Sequence, residues 1–572
     1  MGDARANRYA RIATWGPPAL IAIVAIHISL AMIGGDWPDT HERIWYPVRL
    51  VEYVQGWRGG SFYPRWCPDL YGGYGYPFFN YYAPGFFTTA AIFMVSLGVS
   101  ATTALELTIG LFTVLGGLGV YGLVRGETRR SDAALLSALV FLYAPYRFTD
   151  MFTRGDYAEH AALSLLPFAV WGYRALGRAD DGKVPLIGVL AAVAHAAVWI
   201  CHTITGLYTT EVIGLMLLIG AFVHRRRKPE LQRVLIGCCV LLLALAMASI
   251  YLLPAWFERS LVNLQRVRDG IFHPTKNLVE GAWPFAYGFF SFGLPLLVGL
   301  GATAVSLALP RRRNTAALAR WWVPAIVIAS LIFTWAEPIW RVLPLGSYIQ
   351  FPWRLIGFVA LFGAVGFGVT AANLLPARAP LAWSVCALLA IGVIGVERPY
   401  DRVNEFVAAE KIPTTPEAIQ HGFYSTVVVN EYLPVTVGKP PTTPRVQSAV
   451  PVIGDPVLST WHLTPLSYQL EIDAAQPSGI DMQVFDFPGW KVKTVEGPAE
   501  VERGTTDQGL IRLWLPVHGH YRVKIYFGLT LLRAFAALLS LLSLAFGFSA
   551  LKRIQRLVSP RPSAPRAARG SP

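Results

Sequence analysis

Runs of about 20 apolar residues recur along most of the chain, and short segments that carry charge separate them. A helix of that length matches the hydrocarbon thickness of a bilayer. Only 15% of the residues are charged, against about 25% in a soluble domain, and 54% are hydrophobic. The sequence therefore predicts a polytopic α-helical membrane protein, and it excludes disordered, collagen-like and coiled-coil chains.

We predict about 12 membrane spans from these runs. They cover residues 15–34, 104–124, 132–147, 161–175, 185–201, 204–223, 234–256, 285–309, 321–336, 353–375, 381–396 and 527–549. Basic clusters, such as those at 225–228 and 311–313, fall on alternate loops, and basic loops stay in the cytoplasm. This pattern places both termini in the cytoplasm. It also explains most of the net charge of +14, so no nucleic-acid partner is expected.

Residues 84–100 are apolar enough to span the membrane, but we predict that they do not cross it. If they crossed, the basic loop at 125–130 and every later basic loop would lie outside, against the positive-inside bias. We therefore expect this segment to lie along the outer leaflet, as an interfacial helix within a first outer loop over 35–103.

The chain is expected to divide into four parts. These are a transmembrane module over 1–396, an outer domain over 397–526, a last transmembrane helix over 527–550 and a disordered basic cytoplasmic tail over 551–572. Apolar and polar residues alternate in the outer domain, as at 467–473 and 510–515, and Gly and Pro separate these runs. A period of two with such turns predicts a small antiparallel β-sandwich.

The first outer loop begins with four ionisable residues, Asp36, Asp39, His41 and Glu42. A carboxylate at the membrane surface can act as a general base or bind a cation. The alternative is that these residues are only a solvated flank of the preceding span. Because three acids and a histidine occur together, we give the two interpretations equal weight.

An aromatic stretch rich in Gly and Pro follows at 60–84 and includes Arg65 and Tyr74. Aromatic faces stack on sugars, and an arginine pairs with phosphate. An interfacial belt with tight turns is the alternative.

Later outer segments carry further charge beside the predicted span ends. The residues are Arg154, Glu159, His202, Glu258, Arg259 and Arg354. Arginines are usually concentrated in cytoplasmic loops, so arginines on the outer face are exceptions to that rule. Together they suit an anionic ligand such as a lipid phosphate. If a helix begins near Tyr157, Glu159 occupies its first turn, where the helix dipole favours an acid for purely structural reasons.

Several of these segments together resemble one family of bacterial membrane proteins. They are Tyr63–Trp66, Tyr71–Tyr82, Ala144–Tyr146, Arg154–Glu159, Leu253–Arg259, Gln350–Arg354 and Phe487–Trp490. The family is described as 6-pyruvoyl-tetrahydropterin synthase-related and is close to the YfhO-like membrane proteins. It looks like part of the GT-C superfamily, whose members are integral membrane glycosyltransferases that use polyprenyl-phosphate-linked sugar donors.

The resemblance implies a GT-C-like enzyme in the bacterial inner membrane, with an active site on the outer face. An acid of the first outer loop would be the general base, and Asp39 is preferred over Asp36. Arg354, helped by Arg154, would stabilise the leaving phosphate. Glu159 would act with His202 to orient the sugar or acceptor, or to hold a divalent cation, and no other cofactor is implied. The residues expected to contact substrate are His41, Arg65, Tyr74, Arg154, His202, Glu258 and Arg354.

Two other functions stay open. A flippase or transporter of lipid-linked glycans would use deep polar residues such as Glu211 and His195, although such proteins usually carry internal repeats and none is visible. A non-catalytic partner in polysaccharide assembly would use the outer domain to bind. The envelope acceptor could be a glycan, a lipid or a protein.

The topology has a direct test. A reporter that is active only outside the cytoplasm should give a signal when fused after Ser100 and none when fused after Gly126, because one span separates the two positions. A cytoplasmic signal at Ser100 would mean that residues 84–100 cross the membrane.

Overall fold

The computed structural model describes residues 2–30, 32, 36–265, 272–280, 291–308, 315–343, 345–375, 379–397, 406–422 and 430–558. Its longer helices are α1 (Gly2–Leu30), α2 (Trp45–Arg58), α3 (Gly85–Leu97), α4 (Ala101–Thr128), α5 (Ser131–Leu142), α6 (Tyr157–Leu176), α7 (Val184–Cys201), α8 (Thr203–Val223), α9 (Lys228–Met247), α10 (Ser249–Phe257), α11 (Leu294–Ala308), α12 (Thr315–Ser330), α13 (Ile356–Leu374), α14 (Ala379–Glu397) and α15 (Leu531–Val558). Short helical turns lie at Phe78–Tyr81, Pro145–Phe148, Thr149–Arg154, Arg259–Leu261, Pro274–Lys276, Thr334–Ala336, Glu337–Val342, Gly346–Tyr348, Pro352–Leu355, Ala409–Lys411 and Pro416–His421.

Six helical segments in the described residues are long and apolar enough to cross a membrane. They are Ala101–Thr128, Val184–Cys201, Thr203–Val223, Lys228–Met247, Pro352–Leu374 and Leu531–Val558. Each overlaps a predicted span, but the span predicted over 234–256 is divided between α9 and α10. Shorter apolar helices lie at Thr14–Leu30, Ser131–Leu142, Leu294–Ala308, Thr315–Ser330 and Trp383–Gly395, where five further spans were predicted. A helical membrane architecture is thus confirmed, whereas the total of about 12 spans stays a prediction.

Two expected boundaries differ from the structure. The last helix starts at Leu531 and continues to Val558, so residues 551–558 are helical where a disordered tail was expected. The remainder of that tail, 559–572, lies outside the described residues, as do residues 33–34 and 285–290 of two predicted spans.

Helix α3 occupies the segment that was predicted not to cross. It has 13 residues and ends at Leu97, and Gly98 follows with a φ of +65° that suits glycine. Thirteen residues rise about 20 Å, which is less than the thickness of about 30 Å of a bilayer core. The helix length agrees with an interfacial segment, and its placement relative to the membrane stays a prediction.

Small residues allow the central helices to pack closely. Helix α4 packs against α1, α5 and α6, and α6 packs against α7. At the α6–α7 contact, a Cβ on Gly172 would lie 2.6 Å from the Cβ of Ala191. Glycine is therefore required there by the approach of the two helices.

The chain beyond α14 contains two four-stranded antiparallel sheets. Their strands are β3 (Ala449–Ile453), β4 (Val457–Thr464), β5 (Ser467–Ala474), β6 (Ser478–Phe485), β7 (Trp490–Glu496), β8 (Glu502–Thr505), β9 (Leu510–Leu515) and β10 (Gly519–Phe527). Strands β1 (Asp36–Pro38) and β2 (Phe406–Ala408) form a separate pair. One sheet has the order β4-β5-β10-β7 and the other β3-β6-β9-β8. The predicted β-rich region is confirmed, and the face-to-face packing of a sandwich stays a prediction.

The alternation that predicted strands corresponds to burial. Along β10, Tyr521, Val523 and Ile525 are fully buried, while the intervening Arg522 and Lys524 are only half-buried. Apolar side chains of both sheets belong to one continuous core with the helices. The strands therefore have one apolar face against the rest of the protein.

Strand pairing also links the first outer loop to the distant outer segment. Strand β1 pairs antiparallel with β2, so that Asp36 lies opposite Ala408. The aromatic stretch makes a second link, because the Tyr74 carbonyl accepts a hydrogen bond from the Phe485 amide at 2.9 Å and the two rings stack. These contacts fix the outer region on the first loop.

An internal charge pair fixes the start of the last helix. Arg533 of α15 is fully buried and contacts Glu258 at 2.9 Å, and Asn80 donates to the same carboxylate oxygen at 2.7 Å. Glu258, expected to contact substrate, therefore holds α15 against the first outer loop.

Replacement of Gly172 by leucine should destabilise the bundle by about 1–3 kcal/mol, because the side chain must push α7 away from α6. Thermal unfolding of the detergent-purified protein measures the effect. Gly214→Leu in α8 is the matched control, since no atom lies within 4 Å of a Cβ built at that position. Equal melting temperatures for the two variants would contradict the packing argument.

Candidate active site

A cavity of about 350 Å³ lies between the first outer loop, the α7–α8 junction, α10 and two outer segments near residues 350 and 431. Its charged and imidazole lining residues are Glu42, Arg49, Asp156, His202, Arg259, Arg354 and Glu431. Aromatic and aliphatic side chains form much of the remaining wall, including those of Tyr82, Leu207, Tyr251, Leu252, Trp256, Leu264, Tyr348 and Tyr432. The cavity thus combines opposite charges with an apolar surface.

The backbone before α6 holds the first loop in place. Residues Thr149–Arg154 form a wide π-helical turn, and Gly155 follows with φ of +69°. A side chain at Gly155 would collide with Thr40, so the turn requires glycine. The Glu42 amide donates to the Arg154 carbonyl at 3.2 Å, which brings the acidic end of the first loop to the cavity.

Asp156 caps the start of α6. Its Oδ1 accepts a hydrogen bond from the Glu159 amide at 3.2 Å, which satisfies a donor that the first turn leaves without a helical partner. Burial alone would raise the pKa of Asp156, but the positive charges of Arg354 and Arg154 help to outweigh burial and hold the pKa below its ordinary range. The Asp156 carboxyl is therefore ionised at neutral pH.

Glu159 connects two arginines beneath the cavity. Its Oε2 accepts from Arg354 Nη1 at 2.7 Å and from Arg154 Nη1 at 3.0 Å, and its Oε1 accepts from the Tyr146 hydroxyl at 2.7 Å. Arg154 Nη2 also donates to Asp156 at 3.0 Å. The first-turn position of Glu159, predicted from the sequence, is confirmed, and the side chain is fully buried.

Within the described ranges, Asp156, Glu159 and His202 form a group with the spacing of a metal site. Their ligand atoms lie within 4.8 Å of one another. Arg354 Nη1, however, contacts all three, at 3.2 Å from Asp156, 2.7 Å from Glu159 and 2.9 Å from His202 Nε2. The guanidinium group occupies the position of a divalent cation and neutralises the same charges, so this arrangement does not fit a cation unless Arg354 moves.

Two other acids of the cavity are suited to accept protons. Glu42 accepts a hydrogen bond from Arg49 at 2.8 Å, and its side chain keeps 28% exposure where it lines the cavity. Burial raises the pKa of Glu42 although Arg49 opposes this shift. Burial likewise raises the pKa of Glu431 to about 7. A base works best when its pKa is near the working pH, so both carboxyls match that requirement better than an ordinary glutamate.

Arg259 differs from the other cavity arginines in its partners. Arg49 and Arg354 are ion-paired, whereas Arg259 lies over the Trp256 ring at 4.0 Å and donates to the Trp256 carbonyl at 2.6 Å. No carboxylate in the described part of the chain pairs with Arg259. Its charge is thus available to an anion.

The structure brings some of the expected site residues together. His202 and Arg354 line the cavity, and Arg154 and Glu159 lie directly behind them in the ion network. Of the acids at the start of the first loop, Glu42 reaches the cavity.

Other expected site residues lie elsewhere. Asp36 is exposed in β1, Asp39 pairs with Arg43 at 2.5 Å, and His41 is exposed; none of the three lines the described cavity. Arg65 is buried and donates to the Ile250 carbonyl at 2.6 Å. Arg65, Tyr74 and Glu258 thus make contacts within the protein that hold separate segments together.

Several residues of the cavity were not selected from the sequence. Arg49 lies in α2, whereas Glu42 precedes the helix, so helical spacing did not predict their pairing. Glu431 gave no local signal, because it lies hundreds of residues away from the first loop that it approaches.

We expect Glu159→Gln to cost about 3–5 kcal/mol, because two buried arginines lose the carboxylate between them. Thermal unfolding at neutral pH tests this expectation. Glu337→Gln is the control, since it breaks an exposed pair with Arg341 and should change stability by less than about 0.5 kcal/mol. An unchanged melting temperature in Glu159→Gln would contradict the importance of the network.

Similar proteins fall into one sequence family and a group of membrane transferases. A search of curated proteins found no match. The arabinofuranosyltransferase AftD from mycobacteria is 15% identical with a TM-score of 0.43, over 69% of this chain and 27% of AftD. ArnT from Cupriavidus metallidurans, bound to undecaprenyl phosphate, is 15% identical with a TM-score of 0.42, over 70% of this chain and 67% of ArnT. The oligosaccharyltransferase of Archaeoglobus fulgidus is 13% identical with a TM-score of 0.42, over 67% of this chain and 55% of its own.

This chain thus spans about a quarter of the length of AftD and about half of that of the oligosaccharyltransferase. A family profile matches the sequence itself. Residues 79–397, more than half of the chain, match the profile of the 6-pyruvoyl-tetrahydropterin synthase related domain, which is described as a membrane protein. The chain therefore belongs to the 6-pyruvoyl-tetrahydropterin synthase related family of membrane proteins.

Proposed function

We propose that this protein is a glycosyltransferase that moves a sugar from a polyprenyl-phosphate-linked donor to an envelope acceptor, on the outer face of the bacterial inner membrane. The observation that carries the proposal is the composition of one cavity. Glu42, a carboxylate with a raised pKa, shares that cavity with Arg259, a guanidinium group that has no carboxylate partner in the described ranges.

The phosphate of the donor would bind at Arg259. A guanidinium group matches the geometry of phosphate oxygens. It binds phosphate most strongly when no carboxylate already neutralises its charge. Leu252 and Leu264 also line this cavity, and their side chains suit the hydrocarbon of a lipid carrier. This combination favours a lipid-linked phosphate over a soluble nucleotide.

Glu42 would be the general base. It would take the proton of an acceptor hydroxyl as that oxygen forms a bond to the anomeric carbon. The bond between that carbon and the phosphate oxygen then breaks, and the electron pair leaves with the polyprenyl phosphate, which Arg259 stabilises. A single displacement of this kind inverts the anomeric centre.

The ion network would position these groups. Arg354 lines the cavity, and Asp156 and Glu159 hold its guanidinium group. His202 completes this wall, and burial lowers its pKa to about 4, so the imidazole is neutral at physiological pH and accepts from Arg354. In this proposal, Arg354 assists Arg259 in binding the phosphate, and Glu159 is a positioning residue.

Glu42→Gln should lower the transfer rate about 100-fold or more, because it removes the base and keeps the size of the side chain. Transfer is measured first by mass analysis of envelope glycans in a deletion strain that carries each variant. It is then measured in vitro, as release of polyprenyl phosphate from the identified donor. Since the reactive form is the carboxylate, the wild-type rate should rise with pH through a midpoint above 4.5, and this limb should vanish in the residual activity of Glu42→Gln.

Asp39→Asn is the matched control in the same loop, and it should retain transfer because Asp39 pairs with Arg43 outside the cavity. Loss of transfer in Asp39→Asn with full activity in Glu42→Gln would assign the base to Asp39 instead. Full activity of both variants, or unchanged glycans in the deletion strain, would refute the proposed function. Equal amounts of each variant in the membrane are required for the comparison.

A further inference from the structure

A second cavity lies at the opposite end of α6. This helix starts beside Asp156 at the candidate active site and ends at Leu176, and its 20 residues rise about 30 Å. The second cavity, of about 270 Å³, lies between the end of α6, the end of α4 and the start of α7. Both α4 and α7 are long and apolar enough to cross a membrane, so the cavity lies where such helices leave the hydrocarbon.

The rim of this cavity has an excess of positive charge. Arg174 Nε lies 3.1 Å from Glu127 Oε1, and Arg178 Nη2 lies 2.8 Å from Glu127 Oε2. Arg320 approaches the same carboxylate at 3.5 Å. Three guanidinium groups therefore share one acid, and one carboxylate neutralises only one of the three charges.

A second ion pair at the rim does not reduce this excess. Lys183 also lines the cavity and is 3.7 Å from Asp180, but both side chains are largely exposed, and an exposed pair of this kind contributes little. The basic groups at the rim therefore keep a net positive charge in the described structure.

Apolar side chains lie about one helical turn deeper than the charges. Leu123 precedes Glu127 by four positions on α4, Trp171 precedes Arg174 by three on α6, and all four residues line the cavity. Trp171 packs over Gly126, which leaves room for the indole, and 37% of the tryptophan is exposed. Tryptophan at this depth is typical of a membrane interface.

We propose that this second cavity binds the phosphate of an anionic phospholipid, with an acyl chain against Leu123 and Trp171. Arginines supply charge-assisted hydrogen bonds to the phosphate oxygens, and the excess of positive charge favours a lipid with a net negative headgroup over a zwitterionic one. Inorganic phosphate would match the rim, but it would leave the apolar floor uncovered. The site is separate from the cavity at the start of α6 and does not depend on the proposed transferase activity.

The full-length protein in detergent tests this proposal. Native mass spectrometry with added phosphatidylglycerol should show binding that Arg178→Gln combined with Lys183→Gln weakens about 30-fold, since two basic contacts are lost. Arg225→Gln combined with Arg226→Gln is the control, because it removes the same charge from exposed residues outside the cavity. This control should bind phosphatidylglycerol as the wild type does.

Further binding measurements distinguish a phospholipid from free phosphate and from nonspecific electrostatic attraction. Trp171→Ala should weaken phosphatidylglycerol binding and leave inorganic phosphate binding unchanged, and phosphatidylcholine should bind more weakly than phosphatidylglycerol. Equal weakening in the control pair, equal binding of phosphatidylcholine, or a Trp171→Ala variant with unchanged lipid binding would each overturn the proposal. The melting temperatures of lipid-free variants must match that of the wild type, and a pair variant that fails to fold is replaced by Lys183→Gln alone, which should weaken binding about fivefold.

Discussion

The buried contact of Arg354 and Arg154 with Asp156 and Glu159 is the interaction on which the end of the bundle with the candidate active site depends. Charges removed from water are costly unless opposite charges and hydrogen bonds compensate each of them. Here the compensation comes from separate parts of the chain, because Arg354 approaches from the segment before α13 and the acids come from the start of α6. The network therefore fixes the relative placement of these helices, and the cavity forms above it.

The same pairing determines which groups remain reactive. Arg354 already holds two carboxylates and an imidazole, so most of its charge is compensated before a ligand arrives. Arg259 lacks such partners in the described residues and keeps its charge. A comparable contrast exists among the acids: the pKa of Asp156 is held low by its cationic neighbours, whereas burial raises that of Glu42. Two arginines, or two carboxyls, of the same site therefore differ in free charge or in pKa because their contacts differ.

Local patterns predicted those features that local physics determines. The length and apolarity of runs located six long helices, and the residues around Tyr157 located the start of α6 with Glu159 in its first turn. Alternation located the strands of the outer region. The choice between the neighbouring acids Asp39 and Glu42 could not be made in this way, because it depends on which of them the hydrogen bond to the Arg154 carbonyl turns toward the cavity. Glu431 could not be predicted either, because it lies hundreds of residues away along the chain from the first loop.

The segment around Glu431 supplies one wall of the cavity, and the aromatic stretch of the first loop holds it there. Tyr432 stacks on Tyr81 at 5.4 Å, and its amide donates to the Tyr76 hydroxyl at 2.9 Å, so the aromatic stretch of the first loop binds the segment that carries Glu431. Without that contact the cavity would lack a wall, and Glu431 would return to water, where its pKa would fall to the ordinary value near 4.5. The aromatic residues therefore act on the cavity indirectly. They dock the segment that carries Glu431, and this contact keeps the Glu431 carboxyl buried, where interactions between charges are stronger than in water.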